Sequence, residues 1–475
     1  MMMDFYEMTM SYGYFRQTHG DVRVAFDLFF RSVPDRGGYA VFAGLEHVIE
    51  FVENLSFSDE DIDYFRAQNL FSEEFLSFLR GFRFRGDIYA VPEGTIIYPN
   101  EPLMTIVAPI IDAQLIETAI LAQINHQSLI ATKASRIVRA AEGRKVSDFG
   151  ARRAHNMDAA TYGARAAYIG GVDMTATVSA GQQFGIPISG TMAHSWVMFF
   201  EDEFTAFKKY AELYPQATVL LVDTYDVLHS GIPNAIRTAH EVLAPRGHRL
   251  AGVRIDSGDL AYLSKRVRTM LDDAGLTDCK IILSNSLDEF TISSLLLQGA
   301  QVDSFGVGER LITAKSDPVF GAVYKLVAVE KDGVFAPRIK MSENVEKLTN
   351  PGIKDLYRIY DRHGKAVADM LALQGEEIDL TKPFRYVDPR KPWKNRFFEG
   401  FSAVNLRRLY VRSGKRVEQL PTLEEIRCYV QKQLAEEIWP EEQRFENPHR
   451  HYLDMTPMYY EVKMGLLDDM RGKHS

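Results

Sequence analysis

The stretch Gly252-Val253-Arg254-Ile255-Asp256-Ser257 shows the pattern that decides the fold, a short β-branched run that ends in polar residues. An amphipathic helical stretch follows it, and the same succession recurs from residue 145 to about residue 313. Six strand ends of this kind lie at 145–150, 186–190, 218–224, 252–257, 280–285 and 302–308. Repeated strand–helix units predict parallel strands joined by crossover helices, which is an α/β fold.

Parallel strands with crossover helices carry their ligands at the carboxyl ends of the strands. We predict an irregular (βα) barrel of about six to seven parallel strands. Strand signals broken by glycine and proline at 82–110, and similar signals at 320–360, predict a flanking sheet-rich α+β domain built from N- and C-terminal segments. The predicted division is 1–135 for the N-terminal helical and sheet segments, 136–318 for the barrel, and 319–475 for the returning sheet segment and C-terminal helices.

Composition limits the class of protein. The 475 residues are 46% hydrophobic and 25% charged, and a net charge of -9 disfavours nucleic acid while permitting a local pocket for an anion. Cys279 and Cys428 are far apart and lack metal-type spacing, so a disulfide framework and a cysteine zinc site are not expected. An N-terminus containing Asp4 and Glu7 does not resemble a signal peptide, and polar residues interrupt the apolar run at 115–130. We expect a cytoplasmic protein without a membrane partner.

The segment from Gly190 to Trp196 follows a strand signal and opens a helix. Backbone N–H groups at such a helix start can hold a phosphate, and His194 would then lie beside the anion. A buried structural histidine or a simple helix cap is the alternative for a histidine considered alone. The other strand ends favour the functional interpretation.

Strand alternation places Arg254 and Asp256 on the same face, with Ser257 in the loop beyond. An arginine suits a planar carboxylate because it donates two parallel hydrogen bonds, and an aspartate suits a pair of sugar hydroxyls because it only accepts. An internal Arg–Asp ion pair at the barrel rim is the structural alternative.

Two further strand ends have residues suited to binding a flat aromatic ligand and a phosphate group. Gly306 and Gly308 lie at the last strand end, where bare backbone can approach a phosphate. At the first strand end, Phe149 could stack on a flat ligand while Arg152 neutralises phosphate. A core phenylalanine and a solvated basic turn are the alternatives.

Together these motifs resemble the nicotinate phosphoribosyltransferase family, and the resemblance covers nearly the whole chain. The matching stretches, in order, are 4–10, 29–34, 43–45, 101–102, 148–154 (Asp-Phe-Gly-Ala-Arg-Arg-Ala), 190–194, 253–259 (Val-Arg-Ile-Asp-Ser-Gly-Asp), 347–352 and 447–449 (Asn-Pro-His). Their joint occurrence in this order is highly specific. The resemblance implies an irregular α/β barrel fused to a sheet domain, and homodimers whose active sites borrow residues across the interface.

The resemblance also implies a role for each matching residue. His194 is the histidine that ATP phosphorylates, and Arg254 holds the nicotinate carboxylate. Phe149 and, from the neighbouring subunit, Tyr6 sandwich the pyridine ring, while Asp256 holds the ribose hydroxyls.

Arg152, Gly306 and Gly308 are similar to the family's 5′-phosphate residues, and Lys340 and Lys347 resemble the basic residues that approach the pyrophosphate from the partner chain. The remaining predicted site residues are strand-end residues: Ser189 and Gly190 at nicotinate, and Thr191, Ser257, Ser284 and Asn285 at the phosphoribosyl group.

The implied reaction converts nicotinate, phosphoribosyl pyrophosphate (PRPP), ATP and water into nicotinate mononucleotide, pyrophosphate, ADP and phosphate. It is the first step of NAD salvage from nicotinate and belongs to the ATP-dependent ligase class. Mg²⁺ is expected to arrive with ATP and PRPP, because no carboxylate cluster in the sequence looks like a dedicated metal site.

Three other functions make different demands on the sequence. The stretch 175–178 resembles a Thr-Asp-Thr-Val stretch of the nicotinamide phosphoribosyltransferases, whose carboxylate accepts the amide N–H, and Ala176 removes that acceptor. A phosphosugar lyase or isomerase would use a strand-end lysine as its nucleophile, and the strand ends contain none. A non-catalytic sensor would have lost His194, Arg254 or Asp256. The chain departs from many relatives in having Glu309 after Gly308, and a glutamate there must point away or find a cation.

Overall fold

A computed structural model of the chain describes residues 2–18, 20–340, 348–379, 384–387 and 395–474, so that Lys347 lies outside the described residues. The chain forms two compact units. The first combines Met1–Leu129 with Val319–Ser475, and the second is Ile130–Pro318.

The N-terminal part of the first unit alternates helices with antiparallel strands. Its elements are α1 (Phe5–Thr18), β1 (Arg23–Phe29), β2 (Ala40–Val41), α2 (Leu45–Asn54), α3 (Asp59–Ala67), α4 (Glu73–Arg80), β3 (Asp87–Ala90), β4 (Ile96–Ile97), β5 (Met104–Pro109), α5 (Ile110–Gln114) and the start of α6 (Glu117–Ala140). Helices α3 and α4 begin after Ser58 and Ser72, whose hydroxyl oxygens accept hydrogen bonds from backbone N–H groups of the first turn.

The second unit repeats strand and helix as the sequence predicts. Its elements after α6 are β6 (Lys145–Asp148), α7 (Met157–Ile169), β7 (Met174–Thr175), α8 (Val178–Phe184), α9 (His194–Phe199), α10 (Glu203–Leu213), β8 (Val219–Leu221), α11 (Ile232–Thr238), β9 (Gly252–Ile255), α12 (Leu260–Asp273), β10 (Lys280–Ser284), α13 (Glu289–Leu297), β11 (Ser304–Val307) and α14 (Glu309–Ile312).

All six strands of the second unit form one parallel sheet in the order β7-β6-β11-β10-β9-β8. The predicted α/β class is therefore confirmed. No ladder joins the outer strands β7 and β8 within the described residues, so closure into a barrel stays a prediction.

One expected strand is different. Residues 186–190 form only an isolated parallel bridge, between Ile188 and Thr175 of β7. Pro187 has no N–H group to donate to a longer ladder. The two-residue strand β7, which the sequence pattern did not reveal, takes the sixth place in the sheet.

The C-terminal part of the first unit is rich in strands. Its elements are β12 (Val323–Lys331), β13 (Val334–Pro337), β14 (Lys354–Tyr360), β15 (Ala366–Leu373), β16 (Phe384–Val387), β17 (Asn395–Phe398), β18 (Ser402–Asn405), β19 (Arg408–Arg412), β20 (Lys415–Arg416), α15 (Leu423–Lys432), β21 (Leu453–Met455) and α16 (Pro457–His474).

Strands from both ends of the chain share one antiparallel sheet, ordered β13-β12-β1-β5-β3-β19-β20. Strand β1 pairs with β12 on one side and with β5 on the other, so the expected union of the two segments in one sheet-rich region is confirmed. A second sheet has the order β17-β16-β21-β15-β14-β18, and β2 pairs with β4.

No helix in the described part of the chain combines the length and apolar character that a membrane crossing requires.

Candidate active site

The carboxyl edge of the parallel sheet brings Arg254, Phe149 and Gly306 together. The guanidinium carbon of Arg254 lies 5.1 Å from the centre of the Phe149 ring. A Cβ atom at Gly306 would lie 2.4 Å from the same ring. Only glycine at this position therefore leaves room for the ring. Phe149 follows β6, and its ring packs on Gly306 of the neighbouring strand β11.

Arg254 is held by three side chains. Its Nε donates to Ser284 Oγ (2.8 Å), Nη2 donates to Asp256 Oδ1 (3.0 Å), and Nη1 donates to Thr191 Oγ1 (3.3 Å). The side chain is 15% exposed, so it keeps limited access to solvent. The Arg–Asp ion pair that was the structural alternative is present, and the role of Arg254 in binding nicotinate stays a prediction.

His194 is the first residue of α9, as the sequence pattern predicted for the opening of a helix. Its Nδ1 lies 3.1 Å from Thr224 Oγ1. Its Nε2 lies 3.9 Å from Asp223 Oδ1 and 4.0 Å from Asp256 Oδ2. The imidazole is 40% exposed, so one side faces two carboxylates while the ring stays open to a ligand.

Asp223 lies in the predicted strand end 218–224, but no individual role was predicted for it. Its side chain is 1% exposed, and Oδ2 accepts hydrogen bonds from the Ser257 hydroxyl (2.6 Å) and the Asp256 backbone N–H (3.1 Å). Oδ1 accepts no hydrogen bond from any described residue. The signal in the sequence was its position just after β8, at the edge where the carboxyl ends of the parallel strands meet.

Asp148 fixes the loop that carries Phe149. Its buried carboxylate accepts hydrogen bonds from the Gly150 backbone N–H (2.8 Å) and the Thr175 hydroxyl (2.7 Å). Burial raises the pKa of this carboxyl group, although both hydrogen bonds lower it. Asp148 thus joins the end of β6 to β7 and to the loop before α7.

Other predicted residues surround this centre. Ser284 donates its hydroxyl hydrogen to Asp256. Asn285 is exposed and has a φ of 90°, a conformation that few residues other than glycine adopt. A Cβ atom at Gly308 would lie 3.1 Å from the Phe149 carbonyl oxygen. Ser189 donates its backbone N–H to Thr175, beside the exposed Gly190.

The cations at the first and last strand ends differ in their partners. Arg152 is exposed and makes no hydrogen bond or ion pair with another described residue. Arg153 lies near Glu309, which also binds Lys315. Glu309, which was expected to point away or to pair with a cation, therefore pairs with two, Arg153 and Lys315.

A basic cluster lies in the first unit. Burial lowers the pKa of Lys325, and the nearby positive charges of Arg31 and Lys340 lower it further, whereas Glu117 raises it. Burial and the same Glu117 raise the pKa of Tyr6. Glu117 thus interacts with both Tyr6 and Lys325, and Lys325 in turn lies near Lys340. Tyr6 and Lys340 are the two residues of this region that were predicted to act in the partner's site. No role was predicted for Arg31 or Lys325, although Arg31 lies in one of the matching stretches.

Among the described residues, no group of three or more His, Cys, Asp and Glu side chains has the geometry to hold a metal ion. The fold and the site define an α/β enzyme that acts on an anionic small molecule at the carboxyl ends of parallel strands.

Comparisons with known proteins specify the family. Sequence profiles of the nicotinate phosphoribosyltransferase (NAPRTase) N-terminal domain, of the NAPRTase family and of the C-terminal domain match residues 1–125, 144–349 and 353–463. The chain is 45% identical over 473 residues to the nicotinate phosphoribosyltransferase of Bacillus subtilis, covering 99% of this chain and 95% of that protein. It is 34% identical to the nicotinate phosphoribosyltransferase of Caenorhabditis elegans, covering 97% and 92%.

The fold agrees with solved structures. The crystal structure of human nicotinic acid phosphoribosyltransferase superimposes with a TM-score of 0.88 at 28% identity, covering 98% of this chain and 100% of that one. The chain belongs to the nicotinate phosphoribosyltransferase family. The resemblance found in the motifs is confirmed, and the phosphosugar lyase and sensor alternatives are set aside.

Proposed function

We propose that the chain transfers the phosphoribosyl group of PRPP to the ring nitrogen of nicotinate and couples this transfer to ATP hydrolysis through a phosphorylated His194. One observation carries the proposal: Arg254 contacts both Phe149 and Asp256, and Asp256 in turn approaches His194. Groups suited to a pyridine carboxylate, a ribose and a phosphoryl group therefore lie in one continuous site.

The hydrogen bonds of Arg254 support its role in binding the carboxylate. A guanidinium has five N–H groups. Ser284, Thr191 and Asp256 use three of them, which leaves one on each Nη atom. Two N–H groups on neighbouring nitrogens are what a carboxylate needs for bidentate binding. Nicotinate would bind there with its ring at Phe149.

The ribosyl group would lie beside Asp256. In the transition state the anomeric carbon gains oxocarbenium character while pyrophosphate gains negative charge, so the carboxylate of Asp256 and cations at the phosphates supply electrostatic stabilisation. Arg152, Gly306 and Gly308 would hold the 5′-phosphate. Arg152 is suited to this because it has no competing partner among the described residues.

His194 would take up the terminal phosphoryl group of ATP. A proton on Nδ1 donated to Thr224 leaves the lone pair on Nε2. The N–P bond forms at Nε2 as the bond to ADP breaks, and water later releases phosphate. Asp223 and Asp256 face Nε2 and would stabilise the positive charge that develops on the ring.

The proposed enzyme is a homodimer with shared sites. Tyr6 would reach the partner's nicotinate, and Lys340 would reach the partner's pyrophosphate. Lys325, which lies near Arg31 and Lys340, would add positive charge there. Mg²⁺ would come with ATP and PRPP and neutralise phosphate charge, with Asp223 and Asp256 as the nearby carboxylates. We place the reaction in the cytoplasm and in the ATP-dependent ligase class.

The decisive experiment supplies purified protein with nicotinate, PRPP and Mg²⁺, with and without ATP, and measures nicotinate mononucleotide and ADP. Formation of the mononucleotide, with ADP released only when His194 is present, is expected. Replacement of nicotinate by nicotinamide should remove most of the product. If the unaltered protein forms mononucleotide in the presence of ATP but releases no ADP, the coupling is contradicted.

A further inference from the structure

Glu309 follows Gly308 directly and binds two of the cations at the predicted phosphate end of the site. Its Oε1 accepts a hydrogen bond from Lys315 Nζ (2.6 Å), and its Oε2 lies 3.8 Å from Arg153 Nε. The side chains of Glu309, Arg153 and Lys315 are 39%, 69% and 60% exposed. All three can therefore move without disturbing the core.

The residues next to this ion cluster are anchored elsewhere. Arg310 pairs with Asp288, which also caps α13 through the Thr291 N–H. Lys133 Nζ donates to Ser316 Oγ (2.7 Å) and so fixes the main chain beside Lys315. The residues next to the cluster are thus anchored, whereas Glu309 is the one ion-pair partner of Lys315 and Arg153 among the described residues.

The charges of the cluster match a phosphate monoester. Arg152 is adjacent to Arg153 in the chain and is counted with the cluster. The three cations Arg152, Arg153 and Lys315 and the single anion Glu309 give a net charge of +2. A phosphate monoester carries about -1.5 to -2 at neutral pH. Without Glu309 the cations would exceed the charge of the ligand.

We propose that Glu309 is a positioning residue that sets the affinity for phosphoribosyl compounds: it holds Arg153 and Lys315 away from a phosphate bound beside Gly308, so that Arg152 alone binds it strongly. The inference rests on the proposed function. If substrate and product both bind more tightly by the same factor, the chemical step is not faster and the release of product is slower. Because Glu309 competes with the phosphate for Arg153 and Lys315, it prevents this excess affinity.

The test replaces Glu309 with Gln, which keeps the shape and removes the charge. We expect the KM for PRPP and the dissociation constant of ribose 5-phosphate to fall about threefold, the range for exposed ion pairs, while kcat does not rise. Glu309→Asp should stay close to the unaltered protein. Glu142→Gln removes the same charge before β6, at the opposite edge of the sheet, and is the matched control.

A second arm tests whether Glu309 acts through the two cations. In an Arg153→Gln/Lys315→Gln background, Glu309→Gln should no longer tighten ribose 5-phosphate. Persistence of the effect, or an unchanged or weaker affinity in the single variant, would overturn the proposal. Calorimetric binding of ribose 5-phosphate needs no turnover. Failure of the proposed function would instead appear as missing mononucleotide synthesis by the unaltered protein.

Discussion

Oδ1 of Asp223 lies 3.9 Å from Nε2 of His194 and accepts no hydrogen bond within the described part of the chain. The other oxygen of the carboxylate is held by Ser257 and by the backbone of Asp256. Because the carboxylate is buried and oriented, it can stabilise positive charge on the imidazole without first reorganising.

This arrangement predicts that Asp223→Asn lowers the rate of ATP hydrolysis about tenfold or more. His194→Ala should abolish ATP hydrolysis and leave slow mononucleotide synthesis, because the histidine does not accept the ribosyl group. ADP release and acid-labile phosphate on the protein measure both effects. Full ATP hydrolysis in either variant would contradict the role assigned to the pair.

Arg254→Gln should separate acid from amide recognition. The variant keeps a hydrogen-bond donor but leaves the nicotinate carboxylate without a cation, a loss of about 2 to 5 kcal/mol. We expect kcat/KM for nicotinate to fall at least about tenfold, and any activity with nicotinamide to change little. Arg249→Gln, which alters an exposed arginine that precedes β9, is the control. Equal losses for both substrates would assign Arg254 to PRPP or to the site's architecture.

Gly306→Ala tests the support of the aromatic ring. The added Cβ would lie 2.4 Å from the Phe149 ring, so the ring must shift. A displacement of about 1 Å at a binding surface costs up to about 100-fold in rate, and we expect kcat/KM for nicotinate to fall about tenfold. Gly465→Ala adds a methyl group with no heavy atom within 4 Å and should have no effect. Normal nicotinate kinetics in Gly306→Ala would show that the ring position does not matter.

Tyr6 supplies a test of the shared site. Tyr6→Ala and Arg254→Ala homodimers should each be inactive, whereas mixing them should restore activity once subunits exchange. One site of the hybrid then has both residues intact. Activity is measured after exchange has been verified by mass. Exchange without recovery would place the complete site within one chain.

His451 predicts a pH dependence of stability. Its Nδ1 lies 3.0 Å from Glu442 Oε1, its Nε2 lies 3.5 Å from Asp369 Oδ1, and its ring stacks on Tyr98. Burial alone would lower the pKa of His451, but the carboxylates of Asp369 and Glu442 outweigh burial and raise it.

A raised pKa adds stability that is fully present below about pH 6.5 and is lost as the pH rises through the folded-state pKa. His451→Gln should therefore lower the free energy of unfolding by about 3 kcal/mol at pH 6 and by less at pH 9. Urea unfolding at both pH values measures the difference. His240→Gln, at an exposed position, is the control. A loss that grows with pH would contradict the protonated state of His451.

Local patterns in the sequence determined the kinds of element and the edge at which the site lies. Apolar runs that end in polar residues identified β6, β8, β9, β10 and β11, and because parallel strands have their carboxyl ends at one edge, Arg254, Asp256 and Phe149 had to lie near each other. The roles predicted for His194 and Tyr6 came from the family resemblance, because hydrophobic periodicity does not indicate the function of a residue.

Tertiary structure decided which groups face each other. Periodicity carries no information on strand order, and it is the order β7-β6-β11-β10-β9-β8 that brings β11 beside β6, so that Phe149 fills the space at Gly306. The same packing turns Asp223 toward His194 and Glu309 toward Arg153, partners that are 29 and 156 positions away in the chain. Such contacts depend on how separate elements pack, and a short polar residue at a strand end is compatible with many of them until that packing is set.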